Sequence, residues 1–344
     1  MREIKIGTRS SPLSIAQTNI IAKKILRTWP EIKITLVRIK TSGDKHMLPF
    51  TNNPGGIKGM FTLELEQALM NHEIDFAVHS LKDLPVSINS SLPIVAYSHR
   101  DDPRDALIIR RDINDTISSL YVSAYSHGDD PRDALIINDN IAVHSQNDKT
   151  SSLPVSTYSR RDDQRDTLIN HEYTIGTSSL RRKLQLERLY PEKKIIPVRG
   201  NVNTRIKRMN DGEYDALVLA VAGLKRLGLM NRITKIFTVD EIMPAPAQGI
   251  LACQGRADED YAYLECVNDN CSRDCAIAER SFSRALNAGC NVPIGAYASV
   301  HNDMLTLRGL YIDESTKRFH EGSITGRMCE AESLGERLAE VIMS

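Results

Sequence analysis

The feature that most narrows what this chain can fold into is an α/β unit written twice. His72-Glu73-Ile74-Asp75-Phe76-Ala77-Val78 is answered by Gly212-Glu213-Tyr214-Asp215-Ala216-Leu217-Val218. Each reads as the end of a helix, a Glu-x-Asp pair, and an apolar run of the kind buried on both faces of a sheet. The halves agree again upstream. Ile4 to Gly7 reads as a strand entering Thr8-Arg9-Ser10-Ser11-Pro12, where Pro12 suits a first helical turn and Ser10 or Ser11 its cap. Tyr173 to Ile175 reads as a strand entering Gly176-Thr177-Ser178-Ser179-Leu180-Arg181-Arg182. Two such units facing one another predict an α/β protein of two lobes with a cleft between them.

In open α/β sheets, ligands bind at the carboxyl ends of the strands. Lys82 and Asp83 fall there, on a tight turn between Ser80 and Pro85. Ser80-x-x-Asp83 also has the spacing of a capping box, so a purely structural reading stands beside the functional one. The helix start after the first strand offers free N–H groups to an anion, and Arg9 adds a forked cationic donor. Arg181 and Arg182 fall in a first helical turn, where cations oppose the helix dipole, so an anionic ligand is expected. Arg199-Gly200-Asn201 ends a further strand, the next helix bears Arg205, and Ala222-Gly223-Leu224-Lys225-Arg226 follows the second buried strand. Lys58 lies in the glycine-rich loop Gly55-Gly56-Ile57-Lys58-Gly59.

Lys plus Arg and Asp plus Glu number 44 each, so the formal charge is zero, which argues against a general nucleic-acid binder. No apolar run approaches the ~18 residues of a membrane span. The opening Met-Arg-Glu-Ile-Lys-Ile reads as a strand and not as a signal peptide. A cytosolic protein with six reduced cysteines is expected. Cys266, Cys271 and Cys275 lack the paired C-x-x-C spacing of a zinc site, read as structural thiols, and no metal is expected. The last third changes style. Asp274 to Leu286 reads as an amphipathic helix with Gly289 as a left-handed cap, and Cys290 follows on a loop. Ala296 to Val300, Met304 to Ile312 and Arg318 to Ile324 read as three strands, and Ala331 to Ile342 as a closing helix.

One stretch obeys no such plan. Ala96 to Ile109 recurs at Ala124 to Ile137 with one change, Arg100 to Gly128, and a decayed copy runs from Leu153 to Ile169. This reads as a local duplication carried as a surface excursion, where added length costs little closure entropy. The first copy is expected to take the place in the fold.

Taken together, six motifs resemble the porphobilinogen deaminase (hydroxymethylbilane synthase) family. They are Gly7 to Leu13, Val78 to Pro85, Gly176 to Arg182, Arg199 to Arg205, Ala222 to Gly228, and Gly289-Cys290-x-Val292-Pro293-Ile294-Gly295. The resemblance implies two lobes like those of type II periplasmic-binding proteins and a small α+β C-terminal domain with a three-stranded antiparallel sheet. Domain one would span 1–98 and about 245–267, and domain two 99–244, with the duplicated insertion at about 112–172. Domain three would span 268–344. The implied activity is a cytoplasmic, monomeric transferase that condenses four porphobilinogen molecules head to tail into hydroxymethylbilane and releases ammonia. No nucleic-acid or membrane partner is implied.

The resemblance also assigns residues. Cys290 would hold a dipyrromethane cofactor through a thioether, with Arg181, Arg182, Ser179, Lys82 and Asp83 around it. Asp83 would be the catalytic carboxylate, assisted by Lys82. Arg9, Ser11, Arg199, Arg205 and Arg226 would bind substrate, and Lys58 would belong to a mobile loop over the cleft. The chemistry agrees, because a site for several pyrroles must neutralise many acetate and propionate groups, and arginine forks do so bidentately. Loss of ammonia leaves a cationic methylene-pyrrole, which a carboxylate stabilises and whose protons it can relay. Ala247-Gln248-Gly249 and Ala252-Cys253-Gln254-Gly255-Arg256 depart from the family's Gly-Gln-Gly and Ile-Glu-Cys-Arg. Two other readings remain open: a two-lobed small-anion binding protein without chemistry, and a relative spoiled by the insertion.

Overall fold

The computed structural model describes residues 3–41, 62–113, 173–286 and 292–343. Lys58, Gly289, Cys290 and the later copies of the duplicated stretch lie outside the described residues. The first lobe opens with β1 (Glu3–Arg9) and α1 (Pro12–Thr28). Pro12 stands in the first turn of α1, and the Ser11 side chain accepts the Ser14 amide, so Ser11 is the cap. β2 (Lys33–Ile39), α2 (Leu63–Met70), β3 (Phe76–Ser80) and β4 (Ile94–Tyr97) complete this run. The chain then crosses to the second lobe through β5 (Asp105–Ile109). There it builds β6 (Thr174–Thr177), α3 (Leu180–Leu189), β7 (Lys194–Pro197), α4 (Val202–Asn210), β8 (Ala216–Ala220), α5 (Val221–Arg226) and β9 (Lys235–Ile236). β10 (Leu251–Gln254) returns to the first lobe.

The strand orders are β2-β1-β3-β10-β4 and β7-β6-β8-β5-β9, the same arrangement twice. In each sheet the fourth strand is antiparallel to both neighbours and is supplied by chain arriving from the other lobe. The doubled sequence motif has a doubled physical role. The Asp75 carboxylate accepts the Lys5 amide at 2.6 Å, and Asp215 accepts the Thr174 amide at 3.0 Å, so each aspartate pins its strand beside the first strand of its lobe. The helices before them end alike. Glu73 N–H donates to Ala68 O and Glu213 N–H to Arg208 O, across a left-handed His72 (φ 56) and Gly212 (φ 87).

β5 is formed by the first copy of the duplicated segment. Arg100 gives a reason why the second copy does not replace it. Both Nη atoms of Arg100 donate to the fully buried Glu279 at 2.7 Å, and Glu279 also accepts the amides of Ala247 and Ala298 at 2.6 Å. The second copy has Gly128 there and no side chain to offer. A buried Glu279 without its partner would be costly.

The C-terminal part packs α6 (Asn270–Ala285) and α7 (Ala331–Met343) on a sheet of β11 (Ile294–His301), β12 (Met304–Ile312) and β13 (Phe319–Arg327). Phe282, Leu305, Leu307, Leu334 and Leu338 form the centre of that core. α6 starts earlier than the expected Asp274, because the Asp269 side chain caps it by accepting the Ser272 amide at 2.8 Å. β13 outruns the expected Ile324, because its pairing with β12 continues to Met304↔Arg327. Among the described residues no helix is long and apolar enough to cross a membrane.

Candidate active site

β3 ends at Ser80, and Leu81–Asp83 forms a single 3-10 turn. Leu81 and Leu84 are buried with Ala247, Ile250, Ala252 and Ala276, which leaves Asp83 exposed between two apolar anchors. The capping-box alternative is not realised. Ser80 makes no cap hydrogen bond, and its Oγ instead accepts Gln17 Nε2 from α1 at 2.7 Å. Lys82 Nζ donates to Gln248 Oε1 at 3.1 Å. Burial pushes the Lys82 ammonium down to about 8, against the opposing charge of Asp83. Burial likewise pushes His79 down to about 4, with Arg9 adding to the effect and Asp83 opposing it.

The second lobe faces this turn with α3. Ser179 caps it, accepting the Arg182 amide at 3.4 Å. Both arginines of the first turn point inward to one fully buried carboxylate, with Arg181 Nη2 3.0 Å from Asp105 Oδ2 and Arg182 Nη2 2.7 Å from Asp105 Oδ1. Arg181 also donates to Met243 O, and Arg182 to Val218 O at 3.2 Å. Burial alone would raise the Asp105 carboxyl; the guanidinium charges of Arg182 and Arg181 outweigh it and hold the group well below the usual carboxylate range. The anion expected from two cations in a first helical turn is thus present inside the protein. β5 brings it there from far away in the chain.

Gln248 joins the two halves of the site. Its Oε1 accepts Lys82 Nζ, while its Nε2 donates to Asp105 Oδ1 at 2.8 Å and to Pro103 O at 2.6 Å. Asp105 and Gln248 were not among the residues the sequence singled out. Asp105 stood inside the duplicated segment, and Gln248 inside a stretch notable only for its departures from the family pattern. Even with Asp105, the cluster holds more cations than carboxylates, and Arg182 Nε is buried with no hydrogen-bond partner among the described residues.

Arg205 on α4 donates from Nε to Gly200 O and from Nη1 to Ser178 Oγ, each at 2.6 Å. Burial draws it down to about 10, Arg182 adds to this and Asp83 opposes it, so charges from both lobes meet at the Asp83 turn. Arg9 ends β1 half-buried, and Arg199 is exposed ahead of α4. Ser11 Oγ is engaged with Ser14 Oγ at 2.8 Å as well as with the α1 amide. Arg226 occupies a different setting. Its Nε and Nη2 donate to Asp101 Oδ2 at 3.1 and 2.9 Å, and Nη2 donates to Gly249 O at 2.6 Å. Lys225 holds the other oxygen of Asp101 at 2.8 Å. These bonds tie α5 to both crossovers, which touch where Asp101 N–H donates to Gly249 O at 3.1 Å. Gly249 has φ +95, and a Cβ there would lie 2.4 Å from Asp101 O, so the close approach needs glycine.

Two lobes of matching strand order, joined by paired crossovers, with more cations than carboxylates gathered around an exposed aspartate, define a two-lobed α/β protein with a cation-rich site. Family models agree in detail. "Porphobilinogen deaminase, dipyromethane cofactor binding domain" matches residues 4–127 and 112–263, two stretches that overlap at 112–127. "Porphobilinogen deaminase, C-terminal domain" matches residues 274–344. The chain belongs to the porphobilinogen deaminase family. It is 37% identical to porphobilinogen deaminase of Ruminiclostridium josui over 100% of this chain and 99% of that protein. The enzyme of the same name in Thermus thermophilus is 35% identical over 100% and 96%, and that in Nostoc sp. 34% over 99% and 91%. Overlays on solved structures are loose: the BenM effector-binding domain with benzoate gives a TM-score of 0.37 at 12% identity, over 77% of this chain and 88% of that one.

Proposed function

We propose that this chain condenses four porphobilinogen molecules head to tail into hydroxymethylbilane, releasing ammonia, on a dipyrromethane group joined to Cys290. The observation that carries this reading is the exposed Asp83, held on a single 3-10 turn between two buried leucines, among cations from both lobes. The residues present fit the cofactor, because Arg182 Nε has no hydrogen-bond partner among the described residues and the cationic excess around Asp105 suits added carboxylates. Arg181, Arg182, Ser179 and Lys82 would hold those carboxylates. When bound, the dipyrromethane supplies the pyrrole carbon from which the product chain is extended.

The protein's own groups do the rest. Arg9, Ser11, Arg199 and Arg205 orient substrate carboxylates, and Lys58 assists them. Arg226 contributes from the crossovers it joins. Asp83 gives a proton to the leaving amine nitrogen, stabilises the cationic methylene-pyrrole that remains, and takes a proton from the attacking pyrrole carbon. Gln248 keeps Lys82 beside that carboxylate. The enzyme works in the cytoplasm as a monomer, with domain boundaries near residues 98, 245 and 268.

Intact mass, peptide mapping and an assay of porphobilinogen consumption test this together. Two linked pyrroles on the Cys290 peptide, with ammonia released, are expected. Unmodified Cys290 in turning-over protein would overturn the attachment. Failure to consume porphobilinogen would leave an inactive relative or an anion-binding protein.

A further inference from the structure

α6 ends at Ala285, shortly before Cys290 in sequence, and carries Arg280 on the face turned towards the first lobe. The Arg280 guanidinium meets main chain there. Nη1 donates to Leu81 O at 3.4 Å and Leu84 O at 3.5 Å, and Nη2 to Pro85 O and to Val86 O at 3.0 Å. These carbonyls span the turn that presents Lys82 and Asp83. We propose that Arg280 is a positioning residue for Asp83, clamping the carbonyls of Leu81, Leu84, Pro85 and Val86 and fixing that turn to the helix that leads to Cys290. The inference rests on the catalytic role assigned to Asp83 above.

Packing and clamp act on different sides of the turn. Leu81 and Leu84 already anchor it through buried contacts that include Ala276 of α6. Those contacts hold the apolar side of the turn, and Arg280 meets its carbonyls at Leu84, Pro85 and Val86. The turn's own hydrogen bonding is thin, with Leu84 N–H donating to Leu81 O at 3.2 Å. A planar fork with five donors suits several carbonyls at once, which a lysine does not. No carboxylate is ion-paired with Arg280 among the described residues. Burial draws the group down to about 10, with Tyr97 opposing and Arg284 adding, so it stays charged at neutral pH. Arg280 is half-buried, and among the described residues its hydrogen bonds all go to this one loop's carbonyls, an arrangement suited to holding the loop's geometry. Displacing a reacting group by about 1 Å can cost on the order of 10²-fold in rate.

Arg280→Met and Arg280→Lys, compared with wild type as cofactor-loaded protein, test the proposal. Rates are taken per loaded molecule, well below the melting temperature, beside hydrogen exchange of residues 81–86. The methionine variant should lose about 10- to 100-fold in kcat with KM within about twofold, and lysine should restore part of it. The Leu84 amide should exchange faster while amides of β12 do not change. An unchanged kcat, or a loss carried wholly by KM, would overturn the proposal. If the methionine variant fails to fold or load, the lysine variant is judged by the same criteria. If wild type consumes no porphobilinogen, the functional reading fails, and exchange alone judges the clamp: an unaltered Leu84 amide rejects it.

Discussion

Replacing Asp105 with alanine asks whether the cations of the site depend on their own buried anion. Arg181 and Arg182 have side chains only 5% and 6% exposed, and Asp105 is the carboxylate both of them bind. Removing one partner of a buried ion pair costs about 3–5 kcal/mol, because the remaining charge is left uncompensated. Here two guanidiniums and the Gln248 amide lose a partner together, which favours the upper half of that range. At roughly 2–4 °C per kcal/mol for a large domain, the melting temperature should fall by about 8–20 °C. Asp105→Asn keeps the shape and one acceptor, so it should fall between alanine and wild type.

The pH dependence has a definite sign. The folded carboxyl is held below its ordinary value of 3.8, so its stabilisation is fully present above pH 3.8 and fades as pH falls through the folded value. Urea titrations should show a wild-type advantage over Asp105→Asn that is constant from about pH 5 to 8 and shrinks only in acid. A melting temperature within about 2 °C of wild type for the alanine variant would refute the dependence of both arginines on Asp105.

Other outcomes follow from neighbouring residues. Lys82, drawn to about 8 from an ordinary 10.5, should react with an amine acylating reagent at half its maximal rate near pH 8, and a half-maximum above pH 10 would contradict its burial. Deleting Asn114 to Gln146 should leave folded, active protein, because the first copy already forms β5. Insoluble protein on deletion would show that a later segment is required.

What could be read from the chain itself was what depends on local pattern. The doubled Glu-x-Asp unit announced two like lobes, and Asp75 and Asp215 turn out to make the same strand-pinning bond. Ser11-Pro12 announced the start of α1. What the local pattern did not disclose shares a cause, which is contact at long range. The partner of Arg181 and Arg182 arrives on a strand from the first crossover, so a local argument from the helix dipole found no anion. Ser80-x-x-Asp83 satisfied the spacing of a cap, but Gln17 of α1 had taken the serine hydroxyl. Arg226 sat in a family motif, yet its donors go to Asp101 and Gly249, which only the fold brings together. The early start of α6 was hidden because Asn270-Cys271-Ser272-Arg273 has no apolar period, and the Asp269 cap alone marks it.

The central claim is that Asp83 is the catalytic carboxylate, and Asp83→Asn tests it most directly. The substitution keeps the side chain's shape, removes its charge and cannot carry the proton. Because Asp83 is exposed and Ser80 forms no cap with it, stability should change by no more than about 0.5 kcal/mol. The decisive measurement is the single-turnover rate of ammonia release by cofactor-loaded protein, with a thermal melt alongside. A rate lower by at least about 10² to 10³ with an unchanged melt is the predicted result. A rate within about threefold of wild type would contradict the account and leave the site without its central residue.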